Sequence, residues 1–298
     1  MSSAKTLTAT HHHDTYPAIS PTNPSLSQCG KTILITGGGS GIGFEMARSF
    51  AKASASKVII MSRRGALLDD SAAKLRSEFP KTEFIARQGD IGSDDSIISL
   101  WEFLHSHNIF VHVLVLNAVY ISEDSSIHIG SDTLSMDKAE LMQALDTNVG
   151  GNFLMSAKFI KQGLRPAGQQ LNLLNVTSGA VHTNPAPDTV YATVKTAFTS
   201  LIGRIADERP VEDVQIISFH PGLVYSEVIN LLSNFSVWAA SPEASWLHGR
   251  FVWAHWDVDE LKADPKIQKH LEGKGGYLKI GVEGLSSVNV EAFLIDQN

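Results

Sequence analysis

The stretch KTILITGGGSGIGFEMARSF, residues 31–50, decides the fold. Its apolar run at 32–35 is typical of a short buried strand, and Phe44, Ala47 and Phe50 then recur at the spacing of one helix face. The glycines between these two parts therefore lie in a strand-to-helix turn.

A turn of this kind brings backbone N–H groups and a helix N-terminus to the end of a strand, where they can bind a phosphate or pyrophosphate. Gly37 suits the tight turn, Gly41 lets a ligand approach the backbone, and Gly43 lets the helix pack closely on the strand. The pattern predicts a phosphate-binding turn. A glycine-rich turn without a ligand is the competing interpretation.

The composition bounds the class of protein. A chain of 298 residues with 43% hydrophobic content is long enough for one large core, and α/β domains of this length are often single. The net charge of -7 and the pI near 5.9, without a run of five or more basic residues, argue against a nucleic-acid surface. We therefore expect one domain and no nucleic-acid partner.

Cysteine usage and the N-terminal sequence favour a reducing compartment. Cys29 is the single cysteine, so no internal disulfide can form. The N-terminus lacks the apolar core of a signal peptide, and no stretch reaches the roughly 18 apolar residues of a membrane helix. The consecutive His11, His12 and His13 cannot easily converge on one ion. We expect a cytoplasmic protein with no membrane contact and no metal.

Apolar runs alternate with helical spacing along most of the chain. Because several of these runs are apolar throughout, they indicate parallel strands covered by helices on both faces. The predicted fold is α/β, a doubly wound parallel sheet known as the Rossmann fold. The predicted strands are 32–35, 57–62, 82–90, 110–118, 170–178, 214–222 and an edge strand at 275–284, and the predicted helices are 42–53, 66–79, 94–105, 137–163 and 189–207.

Two segments fall outside this alternation. Residues 1–30, rich in Ser, Thr and Pro, are interpreted as an extended arm before a single domain at 31–298. Residues 223–270 are aromatic-rich and irregular, and are interpreted as a substrate loop or lid. The tryptophans of this segment fit a lid, an interface or ordinary core.

Four polar side chains occur in an order that suits proton transfer. Tyr191 and Lys195, in YATVK, lie four residues apart and so share a helix face. Ser178 ends the fifth predicted strand, and Asn148 lies in the helix before it. Each alone has an ordinary structural interpretation, such as a surface lysine or a strand-end serine. The four in this order indicate a catalytic set.

At this point the chain resembles the short-chain dehydrogenase/reductase family. The motifs TGGGSGIG, NAV, VTS, YATVK and HPG succeed one another between residues 36 and 222, in the order of that family's pattern. The arm and the stretch LHGRFVWAHWDVDEL at 247–261 resemble fungal members more loosely. The resemblance implies a nicotinamide-dependent oxidoreductase.

The resemblance also implies a role for each member of the catalytic set. Tyr191 donates a proton to a developing alkoxide, and Lys195, with the oxidised nicotinamide, lowers the pKa of that phenol and holds the nicotinamide ribose. Ser178 donates a hydrogen bond to the substrate oxygen. Asn148 interrupts its helix and holds a water that connects Lys195 to solvent.

Two positions depart from the family pattern. Val119 stands where the family has glycine after Asn117 and Ala118, which affects the shape of the pocket. Ser226 replaces the threonine that commonly comes four positions after Pro221 and Gly222, and its hydroxyl can still bond the carboxamide.

The choice of cofactor depends on the residues at the end of the second strand, because a carboxylate there binds the adenine ribose and repels a 2′-phosphate. Ser62 occupies that position and Arg63 and Arg64 come next, so we expect NADP(H). The alternative is that Arg63 is a solvated residue at a helix start. By the resemblance, Asp90 contacts the adenine amide and Ile91 packs beside the ring. The expected cofactor-binding residues are Thr36, Gly37, Ser40, Gly41, Ile42, Gly43, Ser62, Arg63, Asp90, Ile91, Asn117, Ala118, Tyr191, Lys195, Pro221, Gly222, Val224 and Ser226.

The residues expected to wall the substrate pocket suggest an apolar, roomy site for an aromatic or polycyclic ketone. The resemblance implies an NADPH-dependent carbonyl reductase, or the reverse dehydrogenase, and by family analogy a place in fungal secondary metabolism. His182 either aids proton transfer, binds a substrate oxygen or simply lines the pocket. The expected pocket residues are Tyr120, Ala180, His182, Leu223 and Tyr225.

Two other functions stay open. Val119 motivates a non-redox member of the scaffold, such as an isomerase, dehydratase or cyclase. A vestigial regulatory protein that only binds the dinucleotide is the third hypothesis. By family analogy, the helices at 137–163 and 189–207 associate into a homodimer or homotetramer.

Overall fold

The computed structural model describes residues 7–121, 133–183, 188–222, 229–273 and 276–282. Within these ranges the chain forms one seven-stranded parallel sheet in the order β3-β2-β1-β4-β5-β6-β7. The strands are β1 (Thr32–Thr36), β2 (Lys57–Ser62), β3 (Glu83–Gln88), β4 (Val113–Leu116), β5 (Leu171–Val176), β6 (Val214–His220) and β7 (Arg250–Trp253).

Helices lie on both sides of this sheet. They are α1 (Gly41–Lys52), α2 (Gly65–Glu78), α3 (Asp94–Ser106), α4 (Lys138–Leu145), α5 (Asn152–Ile160), α6 (Thr189–Asp207), α7 (Ile229–Ala239), α8 (Val258–Ala263) and α9 (Pro265–Glu272). Short 3-10 turns connect several of them. The doubly wound α/β fold expected from the sequence is confirmed.

Both faces of β1 are buried, which explains why Ile33, Leu34 and Ile35 are all apolar. Ile33 and Ile35 belong to one hydrophobic cluster and Leu34 to a second, because successive side chains point to opposite faces of the sheet. The first cluster contains Met46 and Phe50 of α1 and Phe235 and Trp238 of α7; the second contains Leu100 of α3, Phe159 of α5 and Phe198 of α6.

The predicted edge strand at 275–284 is wrong for the part that the structure describes. Residues 276–282 form turns, with Gly276 and Leu278 both at positive φ, which an extended strand does not allow. The seventh strand is instead β7, four residues within the stretch interpreted as irregular. The backbone N–H of Phe251 donates to the carbonyl of Leu278 over 2.7 Å, so the turn covers the edge that the strand was expected to form.

The single long helix predicted at 137–163 is two helices joined by a π-helical segment, Asp146–Gly151. A π-helical segment changes the direction of the backbone carbonyl groups locally. Such segments are frequent at functional sites. Asn148 lies in this segment, where the resemblance expected an interrupted helix.

The N-terminal arm, described from residue 7, is part of the core. Ile19 and Leu26 are fully buried, and Tyr16 is 8% exposed. The hydroxyl of Tyr16 donates to the carbonyl of Trp256 over 3.2 Å and accepts from the N–H of Val258 over 3.0 Å.

Charged and polar contacts extend this attachment of the arm to α8. Glu260 accepts from the backbone N–H groups of Ala9 and Thr10 over 2.7 and 3.2 Å, and His12 lies 2.7 Å from the carboxylate of Asp257. The arm therefore links the beginning of the chain to the segment that carries β7.

The aromatic segment from residue 229 onward supplies core as well as surface. Trp238 and Trp256 are buried at 3% and 9% exposure, and Trp246 and Trp253 pack partly buried against the same cluster. Among the described residues, no helix is long and apolar enough to cross a membrane. No group of three or more His, Cys, Asp or Glu side chains in those ranges is arranged to hold a metal ion.

Candidate active site

The site lies where the strand order reverses, between β1 and β4. Such a reversal leaves a crevice at the carboxyl ends of the two strands. Thr36 joins them: its hydroxyl accepts from the N–H groups of Asn117 and Ala118, each over 3.0 Å. The Asn117 amide donates to the Thr36 carbonyl, also over 3.0 Å. These bonds fix the floor of the crevice.

The glycine turn closes against this floor with no room for side chains. Gly37 has φ +69°, and a Cβ there would lie 2.8 Å from Nδ2 of Asn117. A Cβ on Gly43 would lie 2.4 Å from the carbonyl oxygen of Gly37. At Gly41, by contrast, an added Cβ would meet open space. The turn is therefore packed on the protein side and open on the crevice side, as a phosphate-binding turn must be.

A cavity of about 340 Å³ extends from this turn across the ends of β2, β3 and β4. Ser62 contributes a buried hydroxyl that has no hydrogen-bond partner among the described residues. An orphaned hydroxyl at the end of β2 suits the ribose of a dinucleotide. The lining residues are Gly37, Ser40, Ile42, Met61, Ser62, Arg63, Arg64, Gly89, Asp90, Ile91, Asn117, Ala118, Val119, Tyr120 and Thr147.

Two arginines stand at the mouth of this cavity. Both are exposed, and Nη2 of Arg64 donates to the hydroxyl of Ser40 in the glycine turn over 3.2 Å. Arg63 lines the cavity beside it. The sequence predicts the binding role for Arg63, whereas in the structure Arg64 is the residue that reaches the glycine turn. Sequence order could not distinguish the two, because neighbouring side chains point in different directions.

The residues expected at the adenine end lie in the same cavity. Ile91 is 6% exposed, and Asp90 accepts from the N–H of Gly92 over 2.9 Å through one carboxylate oxygen. The N–H of Asp90 donates to the hydroxyl of Ser96 over 2.9 Å. The loop after β3 is thus held in place by its own hydrogen bonds, with Asp90 and Ile91 both facing the cavity.

The catalytic candidates converge at the start of α6. Asp188 caps this helix by accepting from the N–H of Tyr191 over 2.9 Å. Ser178 lies close enough to the Tyr191 side chain to lower its pKa, and the Ser178 hydroxyl accepts from the N–H of Ala180 over 3.2 Å. Lys195 lies one turn later, with Nζ 5.7 Å from the centre of the Tyr191 ring.

Lys195 is anchored through a backbone group. Nζ donates to the carbonyl of Val176, at the end of β5, over 2.8 Å, and the side chain is 9% exposed. Burial lowers the pKa of Lys195 to about 8, because a low-dielectric environment disfavours the ammonium form. The amine is therefore mostly charged at pH 7 and becomes neutral as the pH rises through about 8.

In the protein alone, burial raises the pKa of Tyr191, and the nearby Asp188 carboxylate raises it further, while Ser178 lowers it. Burial is the largest of these three effects. Tyr191 is consequently a fully protonated phenol at neutral pH, which suits a proton donor. The lowering expected from the oxidised nicotinamide together with Lys195 stays a prediction.

Asn148 holds the neighbouring loop. Its Oδ1 accepts from the N–H of Tyr120 over 2.7 Å, and its Nδ2 donates to the Tyr120 carbonyl over 2.9 Å. The backbone carbonyl of Asn148 accepts from Nδ2 of Asn152 over 2.9 Å. The side chain of Asn148 thus fixes the stretch after β4, and the expected water link to Lys195 stays a prediction.

The substrate side is described in part. Tyr120 lies after β4 and donates to Oε1 of Gln143 over 3.3 Å, and Ala180 and His182 come after Ser178 on a 3-10 turn, Gly179–Val181. Four of the expected residues, at 223–226, lie outside the described residues: Leu223, Val224, Tyr225 and Ser226.

Sequence reasoning missed a group of rings beside the 3-10 turn. His220 ends β6 next to Trp253 of β7, and His255 packs so closely on Gly222, φ +99°, that a Cβ there would lie 1.9 Å from its ring. Pro221 lies between His220 and Gly222 in the chain. The only signal in the sequence was the density of aromatic residues after residue 230, which does not specify which ring faces which loop.

The sheet order and the glycine turn define a protein of the Rossmann class, and the comparisons narrow this. Residues 31–234 match the family described as short chain dehydrogenase. Short chain dehydrogenase/reductase nsrO of Aspergillus novofumigatus is 32% identical, covering 85% of this chain and 90% of that protein. AacuD of Aspergillus aculeatus, of the same description, is 30% identical over 92% of this chain and 96% of its own.

The chain belongs to the short-chain dehydrogenase/reductase family. The crystal structure of L-sorbose reductase from Gluconobacter frateurii, complexed with NADPH and L-sorbose, superposes with a TM-score of 0.68 at 17% identity, covering 77% of this chain and 96% of that one. This likeness shows the shared fold. Members of the family are oxidoreductases that act on CH–OH and C=O groups and bind a nicotinamide dinucleotide.

The glycine turn yields a prediction with a matched control. Gly43→Ala places a methyl group against the Gly37 carbonyl, so α1 must move away from β1 and dinucleotide affinity should fall at least about tenfold. Gly203→Ala, in α6 with open space around it, should leave binding unchanged and stabilise the helix by up to about 1 kcal/mol. Dinucleotide titration by fluorescence and thermal unfolding of both variants measure this. Equal affinity in the two variants would contradict the close approach.

Proposed function

We propose that the protein is an NADPH-dependent reductase, or the reverse dehydrogenase, of a small apolar or aromatic carbonyl compound. The observation that carries the proposal is the arrangement of Tyr191 beside Ser178, with Lys195 one helical turn away. This constellation supplies a proton donor, a second donor to the same oxygen and a positive charge to stabilise the phenolate that remains.

Each of these residues has a separate part in the chemistry. Bound NADPH supplies the hydride that forms the new C–H bond at the carbonyl carbon. Tyr191 gives its phenolic proton to the carbonyl oxygen as negative charge develops there, and Ser178 donates a hydrogen bond to that oxygen. Lys195 stabilises the tyrosinate and, with its pKa near 8, can return a proton to it. In alcohol oxidation the same groups act in reverse.

Support for NADPH over NADH comes from the end of β2. No carboxylate comes directly after that strand, and Arg63 and Arg64 line the cavity together with the orphaned hydroxyl of Ser62. Guanidinium groups bind phosphate through charge-assisted, paired hydrogen bonds. We assign the 2′-phosphate to the guanidinium of Arg64, which already reaches the glycine turn through its hydrogen bond to the Ser40 hydroxyl.

The substrate class rests on the rings around the 3-10 turn after Ser178. His182 lies 5.4 Å from Phe251 and 5.5 Å from Trp253, centre to centre. Such surroundings favour a planar, weakly charged carbonyl compound. With relatives in Aspergillus, Claviceps and Monascus, we infer a reaction of fungal secondary metabolism in the cytoplasm.

The proposal includes a homodimer or homotetramer. Met142 and Phe153, on α4 and α5, are 52% and 46% exposed, and these helices are the ones that the resemblance assigns to association. Large apolar side chains on a solvent-facing helix are typical of a protein interface.

Activity is the first test. Purified protein should oxidise NADPH in the presence of cyclic, aromatic or quinone carbonyls, and Tyr191→Phe should lose about 10²-fold or more in kcat because the proton donor is gone. Tyr277→Phe, a matched change outside the site, should keep full activity. If NADPH binds and none of the carbonyls is reduced, while an isomerised or dehydrated product forms without NADPH consumption, the non-redox alternative replaces the reductase.

Cofactor preference has an internal control. Arg64→Ala should weaken NADPH binding about tenfold or more, because a charge-assisted contact to the phosphate is lost, and should leave NADH binding unchanged. Dissociation constants measured for both dinucleotides by fluorescence test this. A parallel loss for NADH would mean that Arg64 supports the glycine turn rather than the phosphate.

The pH dependence of the reaction is set by Lys195. Below pH 8 its ammonium is charged and stabilises the tyrosinate; above pH 8 the charge is lost, so kcat/KM for carbonyl reduction should fall as the pH rises through about 8. Initial rates between pH 6 and 10 measure the profile, with circular dichroism at each pH as the control for folding. A flat profile up to pH 10 would contradict this assignment.

A further inference from the structure

A hydrogen bond joins the edge of the sheet to the stretch that begins at Ser178. The indole Nε1–H of Trp253, the last residue of β7, donates to Nε2 of His182 over 3.0 Å. His182 comes four residues after Ser178 and continues its 3-10 turn, since the N–H of His182 donates to the carbonyl of Gly179 over 3.1 Å. Ser178 and His182 thus belong to one short, connected stretch.

This bond specifies the protonation state of His182. An indole is a donor only, so Nε2 of His182 must be an acceptor, and the proton of the neutral ring is on Nδ1. Protonation of His182 would turn Nε2 into a donor and break the bond with Trp253. The pKa of His182 lies below its ordinary value because partial burial of the ring outweighs a backbone hydrogen bond that raises the pKa.

The partly buried indole packs against three neighbouring residues. Its ring lies 4.5 Å from that of His220 at 79° and 6.2 Å from that of Trp256 at 19°. Gly179 approaches from the catalytic side, where a Cβ would lie 3.3 Å from Cζ2 of Trp253. Trp253 is therefore a fixed donor, and the exposed His182 is the partner that it can restrain.

We propose that Trp253 is a positioning residue: through its hydrogen bond to His182 it fixes the substrate-facing rim after Ser178 and so sets the affinity for the carbonyl substrate. The inference rests on the proposed function, since it assigns the rim of that same site. His182 contacts the substrate, and Trp253 acts only through His182.

Two other histidines lie close enough to this pair for a charge on them to affect the pKa of His182. His220 lies against Trp253 from β6, 8% exposed, and burial together with His255 and His182 lowers its pKa to about 4. His255 lies behind Gly222, and burial lowers its pKa too, helped by His13 and His11 of the arm. Both rings are neutral near pH 7, so they add no charge beside His182 there.

Trp253→Phe tests the inference because it keeps the ring and removes the N–H. Loss of one neutral hydrogen bond corresponds to about fivefold, so KM for the carbonyl should rise about fivefold, with kcat changed less than about twofold. NADPH affinity should not change. Trp246→Phe is the matched control, because its Nε1–H donates to the Glu243 carbonyl over 2.9 Å at another part of the surface.

The double variant Trp253→Phe/His182→Phe identifies the route. If Trp253 acts through His182, the double variant should have the KM of His182→Phe alone, a result that a merely structural role would not produce. An additive rise in KM, an unchanged KM in Trp253→Phe, or an equal loss of NADPH affinity would each overturn the proposal.

Nitrogen-15 NMR of the imidazoles provides a readout that needs no substrate. His182 should be the Nδ1–H tautomer in the wild-type protein and Trp246→Phe, and its pKa should rise in Trp253→Phe, because the bond that favours the neutral ring is gone. An unchanged pKa would overturn the inference even if the enzyme reduces carbonyls. The expected NMR result with no carbonyl reduction would instead leave the bond intact and refute the proposed function.

Discussion

The close approach of α1 to the end of β1 is the constraint on which the site depends. It requires a hydrogen atom in place of a side chain at Gly43, because the Gly37 carbonyl occupies the position of a Cβ. The same turn packs on Asn117, which Thr36 already joins to β1. The two central strands, the first helix and the crevice are therefore one rigid unit, and the phosphate-binding surface is a consequence of its packing.

A second constraint acts at the other end of the crevice, where charge is buried. Lys195 keeps its ammonium near the Val176 carbonyl, and Tyr191 keeps its phenol protonated because burial raises its pKa more than Ser178 lowers it. The protonated phenol can therefore donate its proton to the substrate first. Lys195, which loses a proton near pH 8, can then return a proton to the tyrosinate. The helix cap at Asp188 places both side chains, so the electrostatics of the site depend on where one helix begins.

The sequence predicts the central sheet well because most of its strands, such as β1 and β4, are apolar on both faces, a pattern that few other structures produce. It fails where the determining contacts are distant in the chain. β7 has four residues and no alternation, and only its pairing with β6 makes it a strand. The arm reads as polar and Pro-rich, yet Ile19 and Leu26 complete the core. Asn148 was found by motif order, whereas the bond between Trp253 and His182 joins residues 71 positions apart and has no local signature.

The docking of the arm also sets an order of events during synthesis. Thr10 and Glu260, which contact each other, are separated by 250 positions, and the arm packs against α7 as well. Tyr16 is synthesised 240 positions before Trp256 and 242 before Val258, the two residues that its hydroxyl binds. Closing so long a loop is slow and entropically costly. Tyr16 therefore lacks these native partners while the intervening sheet is synthesised, and the arm can dock only after α8 has been made.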